Sequence, residues 1–165
     1  MTFIFDADLL STFAKIERLE FLPKIFGERN LLFPPSIKAD LNRSKDLMVK
    51  DISNSGILKE TKLDKQELNL SLRIHERANL GIGESECISI CKFRNAVFVT
   101  NDKKAIQFAE NLDIETIDLE TILFALREII GKQQLIELIQ DIETKDKVIV
   151  VRKKEILEEN KGKNV

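Results

Sequence analysis

Acidic side chains follow two apolar segments that predict buried β-strands. Asp6 comes directly after Thr2–Phe5, and Asp102 stands two residues beyond the end of Ala96–Thr100. The ends of neighbouring parallel strands meet at one edge of a sheet, and α/β proteins bind their ligands there. Each aspartate alone is equally a typical N-cap of the helix that follows its strand. Together they predict an acidic site at this edge.

A third carboxylate, Glu84, opens the helix predicted at Glu84–Phe93. At 100° per residue, Glu84 lies in the middle of the apolar stripe that contains Cys87 and Cys91, whereas Glu86 lies about 200° away and is predicted to point to solvent. A carboxylate on an inward helix face is costly unless it is paired, hydrogen-bonded or bound to a metal. The structural alternative is an acid that stabilises the helix N-terminus through the helix dipole.

Asp40, Thr100 and Lys103 complete the set of candidate residues. Asp40 flanks the apolar stripe of the helix predicted to begin at Pro34-Pro35, so it is predicted to face the edge of a cleft. The Thr100 hydroxyl is suited to orient the Asp102 carboxylate or a water molecule, and Lys103 supplies a local positive charge. The structural alternative for Asp40 is a solvated acid on a helix. For Thr100 it is a strand residue that only fills space in the sheet, and for Lys103 it is an exposed charge on a helix.

The composition excludes several classes of protein. The 165 residues are enough for one domain, and 43% hydrophobic with 33% charged residues excludes disorder. With 26 Lys+Arg against 28 Asp+Glu, the net charge of −2 excludes a protein that coats nucleic acid through bulk charge. Two cysteines form neither a disulfide framework nor a zinc site. No segment is typical of a membrane span or signal peptide, so we expect a soluble, cytoplasmic protein.

Segments with β-strand composition alternate with segments of helical periodicity, which predicts an α/β fold with a mainly parallel sheet. The predicted strands are Thr2–Phe5, Leu31–Phe33, Ile57–Glu60, Ala96–Thr100 and Ile114–Ile117. The predicted helices are Leu9–Leu22, Pro34–Lys50, Leu63–Ala78, Glu84–Phe93, Asp102–Leu112, Thr121–Ile130 and Gln134–Ile139. Lys147–Val151 has β composition, and residues 146–165 are predicted to form a charged C-terminal extension of a domain spanning residues 1–145.

Three segments in this order resemble the PIN-domain nucleases, a group that includes the VapC-type toxins of toxin–antitoxin pairs. They are Phe3-Ile4-Phe5-Asp6, Gly83-Glu84-Ser85-Glu86 and Val99-Thr100-Asn101-Asp102-Lys103-Lys104-Ala105. The resemblance extends over about Thr2 to Ile130. It implies a PIN-like fold, in which a mainly parallel central sheet has helices on both faces.

The resemblance also implies a function and a set of site residues. Asp6, Glu84 and Asp102 match acids that hold Mg²⁺ or Mn²⁺ for RNA cleavage, and Asp40 matches a catalytic acid that is more often Glu in the family. Carboxylate oxygens suit Mg²⁺, and a bound metal polarises a phosphate and activates a water without a protein nucleophile. A homodimer, and a small antitoxin partner if the protein belongs to a toxin pair, are further implications.

Two other functions remain open from the sequence. Phe5-Asp6-Ala7-Asp8 resembles the Asp-x-Asp segment of the haloacid-dehalogenase phosphohydrolases, in which Asp6 would be a covalent nucleophile and Asp8 a general acid. The third interpretation is a PIN-like domain without catalytic activity that binds RNA or protein. Dependence on a divalent metal separates both enzymes from such a scaffold, and Asp8 separates the two enzymes from each other.

Overall fold

The computed structural model describes residues 1–27 and 30–158. Within them, five short strands form one sheet in the order β3-β2-β1-β4-β5, and all neighbouring strands are parallel. This arrangement confirms the predicted α/β class and parallel sheet. The strands are β1 (Phe3–Phe5), β2 (Leu31–Phe33), β3 (Lys59–Glu60), β4 (Val97–Val99) and β5 (Thr116–Ile117).

The order in which strands are added to the sheet reverses between β1 and β4. From β1 the chain adds β2 and then β3 on one side, and it returns to add β4 and β5 on the other. Phe5 stands opposite Val99 in the register, and the Asp6 backbone N–H donates to the Val99 carbonyl at 3.0 Å. Such a reversal leaves a crevice at the carboxyl ends of the two central strands. Asp6 and Thr100 therefore lie at this point of the sheet.

Ten α-helices lie in the described part of the chain, with a 3₁₀ turn at Asp51–Asn54 and a π-helical turn at Ile142–Asp146. The helices are α1 (Ala7–Lys15), α2 (Phe21–Phe26), α3 (Pro35–Arg43), α4 (Leu47–Lys50), α5 (Lys65–Ala78), α6 (Ile82–Arg94), α7 (Lys103–Glu110), α8 (Leu119–Arg127), α9 (Lys132–Asp141) and α10 (Lys153–Leu157). No helix in the described ranges is long and apolar enough to cross a membrane.

The helices cover both faces of the central strands. Successive side chains of a strand point to opposite faces, and every residue of β1 and β4 is buried. Phe5 and Phe98, on these two strands, are fully buried. Helix α6 packs on β1 and β4, and α3 and α5 pack on α6. The central helix α6 is therefore enclosed by the sheet and by two helices.

Two of the predicted helices are each divided in the structure. The segment predicted as Leu9–Leu22 forms α1 and α2, because Glu17 adopts a left-handed backbone conformation with φ 58° that ends the first helix. The segment from Pro34 to Lys50 forms α3 and α4, because Asp46 leaves helical geometry and caps α4 by accepting from the Met48 backbone N–H. Hydrophobic periodicity continues across both breaks and does not reveal them.

The segment after α9 differs from its predicted β character. Lys147–Val151 forms no strand, because β composition is insufficient without a neighbouring backbone to complete a ladder. Asp146 accepts hydrogen bonds from Thr12 and Lys15 of α1, and Ile156 of α10 is fully buried. The division of the chain after residue 145 remains a prediction. Residues 159–165 of the predicted extension lie outside the described residues.

Candidate active site

Asp6 connects the ends of the two central strands. It is the N-cap of α1, its Oδ1 accepts from the Ala7 backbone N–H at 2.7 Å, and only 5% of its surface is exposed. Its Oδ2 accepts from the Thr100 hydroxyl at 2.9 Å. The Thr100 oxygen in turn accepts from the Asp102 backbone N–H at 3.2 Å. Thr100 thus joins the two aspartates, through the Asp6 carboxylate and the Asp102 backbone.

Asp102 begins α7 in the same way that Asp6 begins α1. Its Oδ1 accepts from the Ala105 backbone N–H at 2.7 Å, and the residue is half-buried. The helix-capping alternative considered for both aspartates is therefore present in the structure. Capping occupies one oxygen of Asp102, so it does not exclude a second role for the carboxylate.

Glu84 lies in the first turn of α6. Its Oε2 accepts from the backbone N–H of Gly81, the N-cap of the helix, at 2.7 Å, and the residue is half-buried. This contact draws the carboxylate back over the helix N-terminus, where the helix dipole favours a negative charge. Glu84 therefore lies beside the carboxyl ends of the strands on which α6 packs.

A cleft of about 480 Å³ opens between the start of α1, α3 and the start of α6. Four acidic side chains and one basic side chain line it: Asp6, Asp8, Asp40, Glu84 and Arg43. Ile82, which is 54% exposed, adds an apolar side chain to the wall. The cleft is therefore strongly acidic, in a protein whose net charge is only −2.

The carboxylates act on one another electrostatically. Burial, helped by the charges of Asp8 and Glu84 and opposed by the hydrogen bonds from Thr100 and Ala7, raises the pKa of Asp6 to about 7. Burial also raises the pKa of Glu84; the Gly81 N–H opposes this shift, while the charges of Asp102 and Asp8 add to it. Such mutual repulsion among buried acids is typical of functional sites, and a bound cation relieves it.

Asp40 lies on the opposite wall of the cleft and has a different partner. It is 46% exposed at its side chain and accepts a hydrogen bond from Arg43, three residues later on α3, at 3.0 Å. The charges that raise the pKa of Asp6 come from Asp8 and Glu84, and those that raise the pKa of Glu84 come from Asp102 and Asp8. The structure therefore brings Asp40 to the cleft as half of an ion pair.

The two lysines after Asp102 differ in their contacts. Lys103 is exposed at the start of α7, beside Asp102. Lys104 donates to the Asn79 carbonyl at 2.8 Å, and its charge lowers the pKa of Glu84. Lys104 therefore acts on the Glu84 carboxylate, and the role of Lys103 remains a prediction.

Asp8 lies two residues after Asp6 and does not cap α1. Asp6 is the N-cap, which places Asp8 in the first turn of the helix, exposed and lining the cleft. Its charge raises the pKa of both Asp6 and Glu84. The signal that identifies Asp8 is its spacing of two residues after a strand-end acid. Arg43 was missed as well, and its spacing of three from Asp40 on one helix indicated the pair.

The prediction that Glu86 points to solvent is wrong. Glu86 is 8% exposed, and its two carboxylate oxygens accept from the backbone N–H and the hydroxyl of Ser36 at 3.0 and 2.7 Å. The angle of about 200° between Glu84 and Glu86 predicts exposure of Glu86 only if α6 has a single buried face. Because α3 and α5 pack on α6 as well as the sheet, more than one face of the helix is buried.

The comparisons with known proteins agree with this geometry. The family model DUF3368, a PIN domain, matches residues 2–157. Neither the curated proteins nor the solved structures contain a match to the chain. The family match favours the nuclease interpretation over the phosphohydrolase one and includes every residue of the cleft. With its parallel sheet, its order reversal at β1 and β4 and this match, the chain belongs to the PIN-domain family, whose fold is of the nuclease type.

Proposed function

We propose that the protein is a metal-dependent ribonuclease whose active site is the acidic cleft. One observation carries the proposal: Asp6 and Glu84 line the cleft where the sheet order reverses, and Asp102, which is not part of the cleft lining, is close enough for its charge to act on Glu84. Asp6 follows β1, Asp102 follows β4 and Glu84 begins α6. Their charges are close enough to raise the pKa values of Asp6 and Glu84. Folding a protein around repelling acids is costly, and a cation that bridges them offsets this cost.

The donor atoms of the cleft fit a hydrated divalent cation. All the anionic groups are carboxylates, which are the ligands preferred by Mg²⁺ and Mn²⁺. Among residues 1–27 and 30–158, no three acidic, histidine or cysteine side chains form a ready-made metal cage. Mg²⁺ does not require one, because it keeps several waters and is usually held by one or two carboxylates. We infer that Asp6, Glu84 and Asp102 hold the ion.

Bound in the cleft, Mg²⁺ or Mn²⁺ would polarise a phosphate oxygen and lower the pKa of the attacking water. The chain's own residues do the remaining work. Thr100 donates to Asp6 and so fixes one carboxylate oxygen in position. Arg43, on the opposite wall, and Lys103, beside Asp102, supply positive charge for the RNA backbone. Asp40 holds the Arg43 guanidinium at the cleft.

The narrower biological role is also part of the proposal. The family resemblance supports a cytoplasmic ribonuclease, a homodimer and, if the protein is the toxin of a pair, a small antitoxin partner. A short reading frame next to the gene would support the toxin role. A PIN domain that binds RNA without cleaving it remains the alternative, and metal binding separates the two.

We expect Mn²⁺ to raise the melting temperature of the wild type by about 5–10 °C at saturation. A ligand at a hundred times its Kd stabilises the fold by about 2.7 kcal/mol, and for a chain of this length each kcal/mol shifts Tm by roughly 2–4 °C. Asp102→Asn should lose most of this shift while retaining the helix cap, because Asn caps as well as Asp. The measurement is thermal unfolding with and without millimolar Mn²⁺.

Asp118→Asn is the matched control. Asp118 also caps a helix after a strand, by accepting from the Thr121 backbone N–H at 2.8 Å, but its charge acts on Arg152 rather than on Glu84. This variant should keep the full Mn²⁺ shift. Equal shifts in Asp102→Asn and Asp118→Asn, or no shift in the wild type, would count against a metal site in the cleft.

A further inference from the structure

Glu86 joins α6 to the N-terminus of α3, fifty residues earlier in the chain. Both of its carboxylate oxygens accept from Ser36, one from the backbone N–H and the other from the hydroxyl. We infer that Glu86 is a positioning residue that fixes α3 against α6 and thereby sets the width of the cleft.

Helix α3 depends on this contact because its own sequence provides no cap. Pro34 occupies the N-cap position and makes no side-chain hydrogen bond to the helix, and Pro35 has no N–H to donate. Ser36 is thus the first residue of the helix with a free backbone donor, and helix starts leave such donors unsatisfied. The Glu86 carboxylate satisfies it with a negative charge, which the helix dipole also favours.

A second contact holds the same two helices together. A Cβ placed on Gly83 would lie 2.5 Å from Ile37 Cδ1 and 3.4 Å from Asp40 Oδ2, so α3 lies directly on the backbone of the first turn of α6. A larger residue at position 83 would require the Ile37 side chain to move. Gly83 and Glu86 flank Glu84 in the sequence. Helix α6 therefore contacts α3, the opposite wall of the cleft, both before and after Glu84 in the sequence.

The two walls carry different parts of the site. Asp6 and Asp102 follow β1 and β4, and Glu84 lies on α6, whereas Asp40 and Arg43 lie on α3. Loosening α3 should therefore weaken RNA binding and leave metal binding unchanged. The RNA part of this expectation rests on the ribonuclease function proposed above, but the anchoring of α3 does not.

The test compares four variants of the full-length protein by amide hydrogen exchange. Glu86→Leu removes both hydrogen bonds, and Ser36→Ala removes only the one from the hydroxyl. Glu86→Gln conserves both contacts, because its carbonyl accepts from the Ser36 N–H and its amide donates to the Ser36 hydroxyl. Ser89→Ala is the matched control, since it deletes a serine hydroxyl on α6 that bonds to the Glu67 carbonyl of α5.

We expect the amides of residues 38–41 to exchange at least about fivefold faster in Glu86→Leu, the factor that corresponds to losing a helix cap. Ser36→Ala should show a smaller increase, and Glu86→Gln and Ser89→Ala should match the wild type. In the same proteins KM for RNA should rise at least about fivefold in Glu86→Leu, while the Mn²⁺ concentration at half-maximal thermal shift stays constant.

The inference is overturned if exchange in α3 is equal in all variants, or if Ser89→Ala accelerates it as much as Ser36→Ala does. If Glu86→Leu loses protection over the whole chain, Ser36→Ala becomes the deciding variant, because deleting one hydroxyl is a mild change. Faster exchange confined to α3 in Ser36→Ala would then support the inference, and unchanged exchange there would overturn it. If the wild type cleaves no RNA, the ribonuclease proposal fails on its own, and the exchange data still decide the role of Glu86.

Discussion

Replacing Asp6 with Asn is expected to reduce RNA cleavage by at least about a hundredfold, since even residues that only support metal ligands contribute 10–100-fold. The same substitution should stabilise the metal-free protein. Asp6 is 5% exposed, and burial together with the neighbouring charges raises its pKa from 3.8 to about 7. Loss of activity with a gain of stability is the signature of a residue kept for function rather than for folding.

The gain in stability depends on pH in a direction fixed by the raised pKa. Below pH 3.8 the Asp6 carboxyl is neutral in both the folded and the unfolded chain. Between pH 3.8 and pH 7 the unfolded chain ionises Asp6 while the folded protein keeps it protonated, so the wild type loses stability progressively over this range. Asp6→Asn escapes this loss, so its gain should be larger at pH 8 than at pH 5, by roughly 1–3 kcal/mol.

Urea unfolding in EDTA at pH 5 and pH 8 measures this difference. Asp118→Asn is again the control, because it replaces a helix-capping aspartate that does not line the cleft. We expect the gain in free energy of unfolding of Asp6→Asn over the wild type to be larger at pH 8 than at pH 5. A gain that is equal at both pH values, or a loss of stability at pH 8, would contradict the electrostatic description of the cleft.

Glu84→Gln should abolish most RNA cleavage, by at least about a hundredfold, whereas Glu86→Gln should stay within about threefold of the wild type. Gln at position 84 still accepts from the Gly81 N–H, as Glu84 does at 2.7 Å, so the start of α6 is preserved while the charge is lost. Gln at position 86 preserves the contacts to Ser36. The measurement is kcat and KM on RNA for both variants.

Glu86→Gln is expected to keep activity because the Gln side chain can form both hydrogen bonds to Ser36. The reason is not that Glu86 is exposed to solvent, since the residue is buried. Equal losses in kcat for the two variants would show that the charge of Glu86 also serves the reaction. In that case the effect of Glu84→Gln would not distinguish Glu84 as a metal-binding residue from Glu86.

The sheet and the strand-end acids were predictable because their signals are local. A buried parallel strand is a short apolar segment, and Phe3–Phe5 and Val97–Val99 are such segments with an acid at or just beyond their end. The parallel order follows from the alternation of strands and helices. The position of Glu84 near the strand ends followed from its place at the start of α6.

The rest depended on contacts between distant parts of the chain. Glu86 is buried because α3 covers it, and Ser36 lies fifty residues away. No periodicity within α6 reveals a second buried face. Likewise, Asp6 rather than Asp8 caps α1 because the Thr100 hydroxyl and the Ala7 N–H hold its carboxylate in place. The breaks at Glu17 and Asp46 are single-residue backbone events inside otherwise continuous apolar patterns.

The most direct test of the account is to assay the wild type, Asp6→Asn and Asp8→Asn on structured RNA and on a small phosphate monoester, with Mg²⁺ or Mn²⁺ and with EDTA. We expect the wild type to cleave RNA only with metal and to leave the monoester intact. Asp6→Asn should lose RNA cleavage, and Asp8→Asn should retain it to within about tenfold, below the 10²–10⁴-fold that a general acid contributes. Hydrolysis of the monoester by the wild type and its loss in Asp8→Asn, with RNA uncut throughout, would contradict the nuclease function.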